Sequence, residues 1–302
     1  MSSVSFVVPV FNKAKYLKTV IKSLRQQTGN FDKEYIFIND GSTDNSLEIL
    51  KKERRSLKNC KIISQKNKGS ASATNAGIRA SKMKYIKFLD ADDIIINKTT
   101  FTLLNLLEKN KKFILAYGLQ RKVEDITSEK LDDNLENINI TFQNNPIKLA
   151  MRNSMFNPSQ FLVRTDICKK IGGCDERVIH SQEYSLTLRL ANIGNFIRLN
   201  YPVAILPFEA QGQISEKKNN QIYRVSKSLE LFVKDNPKLN LRIKLYAQRR
   251  LTARAWRFVR GKKNKRMYLK YFFLYLIGLF RLNSNPLKIC NEANKIYKYY
   301  LD

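Results

Sequence analysis

The chain reads as an α/β protein with a Rossmann-like, mainly parallel sheet flanked by helices. Three observations predict this. Short apolar runs, each closed by turn residues, alternate with stretches whose apolar residues recur at helical spacing. The alternation continues long enough to build a sheet through right-handed crossovers. The turns that follow several strands carry polar or acidic residues, and open sheets of this class bind ligands beyond the carboxyl ends of their strands.

The elements follow in order. Residues 4–10 (VSFVVPV) form a buried strand, and Phe11-Asn12 turns out of it. Leu17, Val20, Ile21 and Leu24 then mark a helix. Residues 34–39 (EYIFIN) are the second strand. The turn Asp40-Gly41-Ser42-Thr43-Asp44 supplies capping side chains to a helix whose apolar side is Leu47, Ile49 and Leu50. Residues 61–64 are a short third strand, and residues 69–80 are small and polar, then helical. Residues 85–89 are the fourth strand, ending in Asp90-Ala91-Asp92-Asp93. A helix around Leu103, Leu106 and Leu107 and a strand at 113–117 follow. Residues 120–157, with Asp132 and Asp133, are polar and irregular and read as a mobile loop. A strand at 159–164, a break at Gly172-Gly173 and a helix at 183–191 come next. From about residue 222 the pattern is helical, basic and aromatic to the end. This divides the chain into an α/β domain at 1–215 and a basic helical extension at 216–302.

Composition bounds the function. With 43% hydrophobic and 11% aromatic residues, the 302-residue chain can bury a large core. Lys and Arg total 55 against 26 Asp and Glu, a net charge of +29, which points to a polyanionic partner: nucleic acid, an anionic membrane face or a phosphate-bearing substrate. The excess is uneven, since residues 213–302 hold 22 Lys and Arg against 5 Asp and Glu. The four cysteines form no C-x-x-C pair and His180 is the single histidine, so a zinc site is disfavoured and a reduced, cytosolic setting is expected. The first strand begins directly, with no signal peptide expected before it. The richest apolar stretch, 267–280, is 14 residues long and contains Lys270, too short to span a bilayer.

The acidic turn carries the sharpest chemistry. Three carboxylates within four residues repel one another unless a cation sits between them. Hard divalent ions take such oxygen ligands, and Mg²⁺ typically adds substrate phosphate and water to one or two protein carboxylates. Asp40, on the same rim, can accept a hydrogen bond from a base N–H or a sugar hydroxyl.

Four segments in register carry a resemblance. They are Val7-Val-Pro-Val-Phe-Asn12, Asn39-Asp-Gly-Ser-Thr-Asp44, Asn67-x-Gly69 with Asn75-Ala-Gly77, and Phe88-Leu-Asp-Ala-Asp-Asp93. Together they resemble the family 2 glycosyltransferases over roughly residues 3–95. Weaker similarity runs through Gly172 to Glu176 and Gln182 to Tyr184, to about residue 215. The resemblance implies the A-type glycosyltransferase fold and inverting transfer of a sugar from a nucleotide-diphosphate sugar, UDP-linked by preference. The acceptor hydroxyl would lie on a glycan or lipid-linked glycan, with bacterial envelope polysaccharide or lipopolysaccharide as the setting. It assigns Pro9, Val10, Phe11, Asn12 and Asp40 to base and ribose, with Gly69, Asn75 and Asp90 beside them. Asp92, helped by Asp93, would ligate Mn²⁺ or Mg²⁺.

The family's general base is the Asp of a Glu-Asp pair. Here Gln182-Glu183 stand in its place, so Glu183 is the candidate base, one methylene longer. Many relatives also carry a histidine near residues 208–215, where this chain has Glu209, Ala210 and Gln211. His180, three residues before Glu183, is a candidate acceptor contact.

The extension holds a run of Arg and Lys from Arg249 to Arg266, then aromatics from Tyr268 to Phe280. That combination fits an interfacial helix on anionic lipid, hence a cytoplasmic enzyme peripheral on the inner face of the cell membrane. Nucleic acid is not expected as a partner, because the acidic turn would repel a phosphate backbone. A catalytically impaired, membrane-associated scaffold of the same fold rests only on Gln182 and Glu183. A nucleotidyltransferase would need a Gly-rich loop after the first strand, where residues 10–14 (VFNKA) have no glycine.

Overall fold

The computed structural model describes residues 2–131, 138–179, 182–208, 218–262, 264–280 and 285–300. Its first half is the predicted strand–helix alternation: β1 (Ser3–Val10), α1 (Ala14–Arg25), β2 (Asp32–Asp40), α2 (Ser46–Glu53), β3 (Cys60–Gln65), α3 (Ser70–Ala80), β4 (Tyr85–Phe88), β5 (Ile94–Ile95) and α4 (Thr99–Lys109). The second half holds β6 (Phe113–Val123), β7 (Ile140–Gln143), α5 (Ile147–Arg152), β8 (Phe161–Arg164), α6 (Thr165–Lys170), α7 (Gln182–Ala191) and β9 (Asn195–Pro207). Four helices close the chain: α8 (Lys218–Asp235), α9 (Leu241–Arg260), α10 (Lys265–Phe280) and α11 (Pro286–Lys298).

Among the described residues nine strands join one sheet in the order β3-β2-β1-β4-β8-β6-β9-β5, with β7 also on β9. β1 pairs in parallel with β2 and β4, and β2 with β3. Beyond β4 the sheet is mixed: β8 runs antiparallel to β4 and β6, and β9 parallel to β6.

Alternation along β1 explains the layering. Val4, Phe6, Val8 and Val10 enter the core beneath α1 and α4, where Leu17, Val20, Ile21 and Leu24 meet them. Val7 faces the opposite core with Ile36, Ile38 and the small face of α3. An added Cβ at Gly77 would lie 2.2 Å from Val7 Cγ1, so the glycine sets how closely α3 can approach the sheet.

The same apolar cluster continues through Tyr184 and Leu188 of α7 into Leu229, Leu251, Tyr271 and Tyr297 of the last four helices. The extension therefore shares a core with one face of the sheet.

Two segments differ from the sequence reading. Residues 120–157, expected to be irregular, include the end of β6, all of β7 and α5; Asp132 and Asp133 lie outside the described residues. β9, the longest strand, carries no clean sequence signal. Asn195, Asn200 and Pro202 interrupt its apolar run, and its register on β6 shifts between Tyr117 and Gln120. All four cysteines are free thiols, three of them buried. Among the described residues no helix is long and apolar enough to cross a membrane.

Candidate donor cleft

β1 leads to β2 on one side, while β4 lies on its other side. The winding direction therefore reverses between β1 and β4. The turns after these two strands face each other at the carboxyl edge, where a doubly wound sheet opens a crevice. A cleft of about 730 Å³ lies there. Pro9, Val10, Phe11, Asp40, Gly69, Asp90, Asp92, Asp93 and Glu183 all line it. Residues up to 174 positions apart in sequence thus share one cavity.

Asn12 and Asn75 stand just behind the lining and hold it. Asn12 adopts a left-handed backbone, φ +52°, which Asn tolerates better than most residues. Its Oδ1 accepts the Thr43 N–H at 2.8 Å, tying the β1 turn to the β2 turn. Asn75 donates to the Cys174 carbonyl at 3.0 Å and to Glu176 at 2.7 Å, and accepts the Cys174 N–H at 2.8 Å. It pins the segment that leads to Glu183. Ser70 adds a bond to Gln182 at 2.7 Å, beside the first turn of α7.

Asp40 is buried at 3% exposure. One carboxylate oxygen accepts from Gln65 Nε2 at 2.8 Å and Lys68 N at 3.0 Å; the other accepts Gly69 N at 2.9 Å. The carboxylate thus folds the β3–α3 loop around itself. Gly69 is suited to this loop: its φ of +83° with ψ 165° lies in a region open essentially to glycine.

The acidic turn is strongly polarised. Asp92 accepts from Lys13 Nζ at 2.7 Å. Asp93 turns inward, accepting the Ser159 hydroxyl at 2.5 Å, and the Ser159 carbonyl accepts from the fully buried Lys87 ammonium. Burial pushes the Lys87 ammonium down to about 7, against the opposing pull of Asp93. Burial, then Asp92 and Glu183, push the Asp90 carboxyl up to about 8. Burial, Asp90 and Asp92 raise Asp93 well above the carboxylate range. Burial also raises Glu183 above the ordinary value of 4.5. Crowding and burial therefore favour holding protons on Asp90, Asp93 and Glu183, while Asp92 is balanced by the Lys13 ammonium.

A Mg²⁺-type ion fits this cluster of carboxyl groups, because it needs only one or two protein carboxylates and completes its shell with phosphate and water. Asp92, and Asp90 beside it, are the residues that could hold one. Among the described residues no three His, Cys, Asp or Glu side chains form a ready cage.

Sequence patterning did not single out several lining residues. Lys13 follows the Asn12 turn directly and was within reach of motif reading. Gln120 and Lys122 point into the cleft from alternate positions of β6, which runs past the predicted strand end. Gln221 and Arg224 reach it from α8, which carries no local sign of a binding role. His180 and Glu209, Ala210 and Gln211 lie outside the described residues.

The chain is similar in sequence and in fold to known proteins. Over 197 residues the chain is 32% identical to the chondroitin synthase of Pasteurella multocida, covering 65% of this chain and 20% of that protein. Over 201 residues it is 28% identical to the chondroitin synthase of Escherichia coli, covering 65% of this chain and 28% of that one. It thus spans between a fifth and a third of the length of these relatives. The crystal structure of Staphylococcus aureus TarS 1-349 in complex with UDP-GlcNAc superposes with a TM-score of 0.68 at 15% identity, covering 99% of this chain and 92% of that one, a likeness of fold. The sequence pattern of the family described as glycosyl transferase family 2 matches residues 5–172. With that match across the strands and turns that build the cleft, the chain belongs to glycosyl transferase family 2.

Proposed function

We propose that this chain is a metal-dependent, inverting glycosyltransferase that moves a sugar from a UDP-sugar to a hydroxyl of a glycan or lipid-linked glycan. The observation that carries this reading is the convergence of Asp40, Asp90, Asp92 and Glu183 on one cleft at the switch point of the sheet. The UDP preference draws on the nucleotide named for the TarS complex. The setting in bacterial polysaccharide synthesis draws on the synthases among the relatives.

In this reading Pro9, Val10, Phe11 and Asp40 flank the base and ribose. The loop that Asp40 organises, with Gly69 at its end, closes over them. Asp92, with Asp93 shaping the turn behind it, faces the diphosphate side. A Mn²⁺ or Mg²⁺ ion held there would stabilise the charge that grows on the leaving diphosphate. Glu183 removes the proton of the acceptor hydroxyl as its oxygen attacks the anomeric carbon. The bond to the diphosphate oxygen breaks, and the electron pair leaves with UDP. Attack from the face opposite the leaving group inverts the anomeric centre. The raised affinity of Glu183 for a proton suits this role, since a base works best when its pKa lies near the working pH.

The division near residue 215 then separates the family's catalytic half from a helical extension that contributes Gln221, Arg224 and Val225 to the cleft wall. The extension also supports a peripheral membrane role. On α10, Leu269, Phe273 and Phe280 are 54%, 60% and 64% exposed and recur on one face of the helix. Exposed Lys265, Arg266 and Lys270 accompany them. Such a face inserts shallowly into anionic lipid, each nearby cation adding about 1 kcal/mol. Flotation with anionic vesicles tests this, and its failure with wild-type protein removes the membrane partner.

Calorimetric titration with UDP, with and without Mn²⁺, tests the catalytic reading. Binding should require metal and be lost in Asp92→Ala. If neither UDP nor another nucleoside diphosphate binds with any divalent metal, the transferase assignment fails.

A further inference from the structure

We propose that Lys13 is the resident counter-ion of Asp92, and that it leaves this carboxylate for the nucleotide's diphosphate when a divalent cation arrives. The inference rests on the Asp92 assignment made above and names a residue outside the motif residues that carry that assignment.

Three observations support it. First, Lys13 Nζ donates to Asp92 Oδ2 at 2.7 Å, with the two side chains 14% and 13% exposed. Both residues line the donor cleft, so the ion pair sits inside it rather than on the outer surface. Second, among the described residues Lys13 is the only cation in ion-pair contact with Asp90, Asp92, Asp93 or Glu183. Lys87, the buried cation beneath the turn, donates to the Ser159 carbonyl instead. Third, the main chain around Lys13 is clamped, whereas its ammonium is held by the Asp92 carboxylate and lies 5.8 Å from the centroid of the Tyr16 ring. The Lys13 N–H donates to Ser46 Oγ at 2.9 Å, the Ala14 N–H donates to Asp44 Oδ2 at 3.0 Å, and Asn12 is held by Thr43. A lysine on a fixed backbone still moves its ammonium several ångströms through its flexible four-carbon stem.

The electrostatics then set an order of preference. A single positive charge at a carboxylate oxygen opposes a double positive charge approaching the same oxygen. Metal without nucleotide must therefore displace Lys13 with no compensating anion. Metal with a diphosphate gives the released ammonium a second partner. Lys13 thereby couples the two ligands, so that each raises the affinity for the other, as linkage requires. An empty cleft stays close to charge balance and does not collect free divalent ions.

The test measures Mn²⁺ binding from the electron paramagnetic resonance signal of the free ion, with and without UDP. It uses wild type, Lys13→Met, Lys13→Arg and Asp92→Ala, with circular dichroism to establish folding. Without nucleotide, Lys13→Met should bind Mn²⁺ about tenfold more tightly than wild type, within the usual range of such couplings. The factor by which UDP tightens Mn²⁺ should shrink correspondingly. Lys13→Arg, which keeps the charge, should stay close to wild type without nucleotide. Equal or weaker Mn²⁺ binding by Lys13→Met overturns the proposal, as does Lys13→Arg behaving like Lys13→Met. The two readings fail separately. If Asp92→Ala keeps wild-type Mn²⁺ binding, the metal assignment falls. If Asp92→Ala loses Mn²⁺ while Lys13→Met shows no tightening, only the role of Lys13 falls.

Discussion

Replacing Asp40 by alanine should unfold the donor side of the cleft before any ligand is considered. The Asp40 carboxylate is 3% exposed and accepts hydrogen bonds from Gln65 Nε2, Lys68 N and Gly69 N at 2.8–3.0 Å. The Gln65 amide can turn toward water when its partner is removed. The two backbone N–H groups cannot, because the turn that aims them is fixed by the left-handed Gly69 and the start of α3. Hydrogen bonds to a charged acceptor contribute about 1.5–3 kcal/mol each, and a stranded buried donor costs about 1–3 kcal/mol. Two such losses predict a destabilisation of about 3–5 kcal/mol for Asp40→Ala. Asp40→Asn should cost less, about 2 kcal/mol, since the amide oxygen still accepts one backbone N–H while its NH₂ opposes the other. Urea unfolding of ligand-free protein measures both. A loss below about 1 kcal/mol for Asp40→Ala would refute the argument that this carboxylate organises the loop, and would leave it free for direct contact with the nucleotide.

If Glu183 is the base proposed above, Glu183→Gln should lower kcat by about 10²–10⁴ with UDP affinity retained, because it removes the proton acceptor and keeps the shape; unchanged kcat would remove Glu183 from the proton-transfer step. The acid limb of kcat should lie above the ordinary glutamate value of 4.5, because burial favours the protonated form and activity needs the carboxylate. Activity is then lost as pH falls through that raised value, and a limb at or below 4.5 contradicts the assignment. Gly77→Ala should cost about 1–3 kcal/mol, since the new Cβ meets the fully buried Val7 at 2.2 Å and Ile38 at 2.9 Å. A wild-type melting curve for that variant would show that α3 can shift away from the sheet.

Much of the donor half was legible in the sequence because its information is local. β1, β2 and β4 are buried on both faces, so they read as apolar runs. Their carboxyl ends carry the residues that line the cleft, so strand position and turn chemistry together located Asp40, Asp90 and Asp92. Glu183 was reached through motif order rather than periodicity. The extent of β6 and the presence of β9 were hidden because polar residues and Pro202 break their patterns, while neighbouring strands supply the pairing that sustains them. Asn12 and Asn75 came out of the same motifs as the lining residues, and only their partners in space reveal that they brace the cleft from behind.

The sequence by itself determined the fold class, the family and the acidic rim, since each is written in short-range spacing and residue type. Tertiary structure alone decided the electrostatics. That Lys13 pairs with Asp92 across 79 positions, that Lys87 is sealed beneath Asp93, and that Arg224 of α8 lines the same cleft all depend on long-range packing. Charge in a chain formula counts residues; the field in a cleft depends on which charges are buried together and how near they lie.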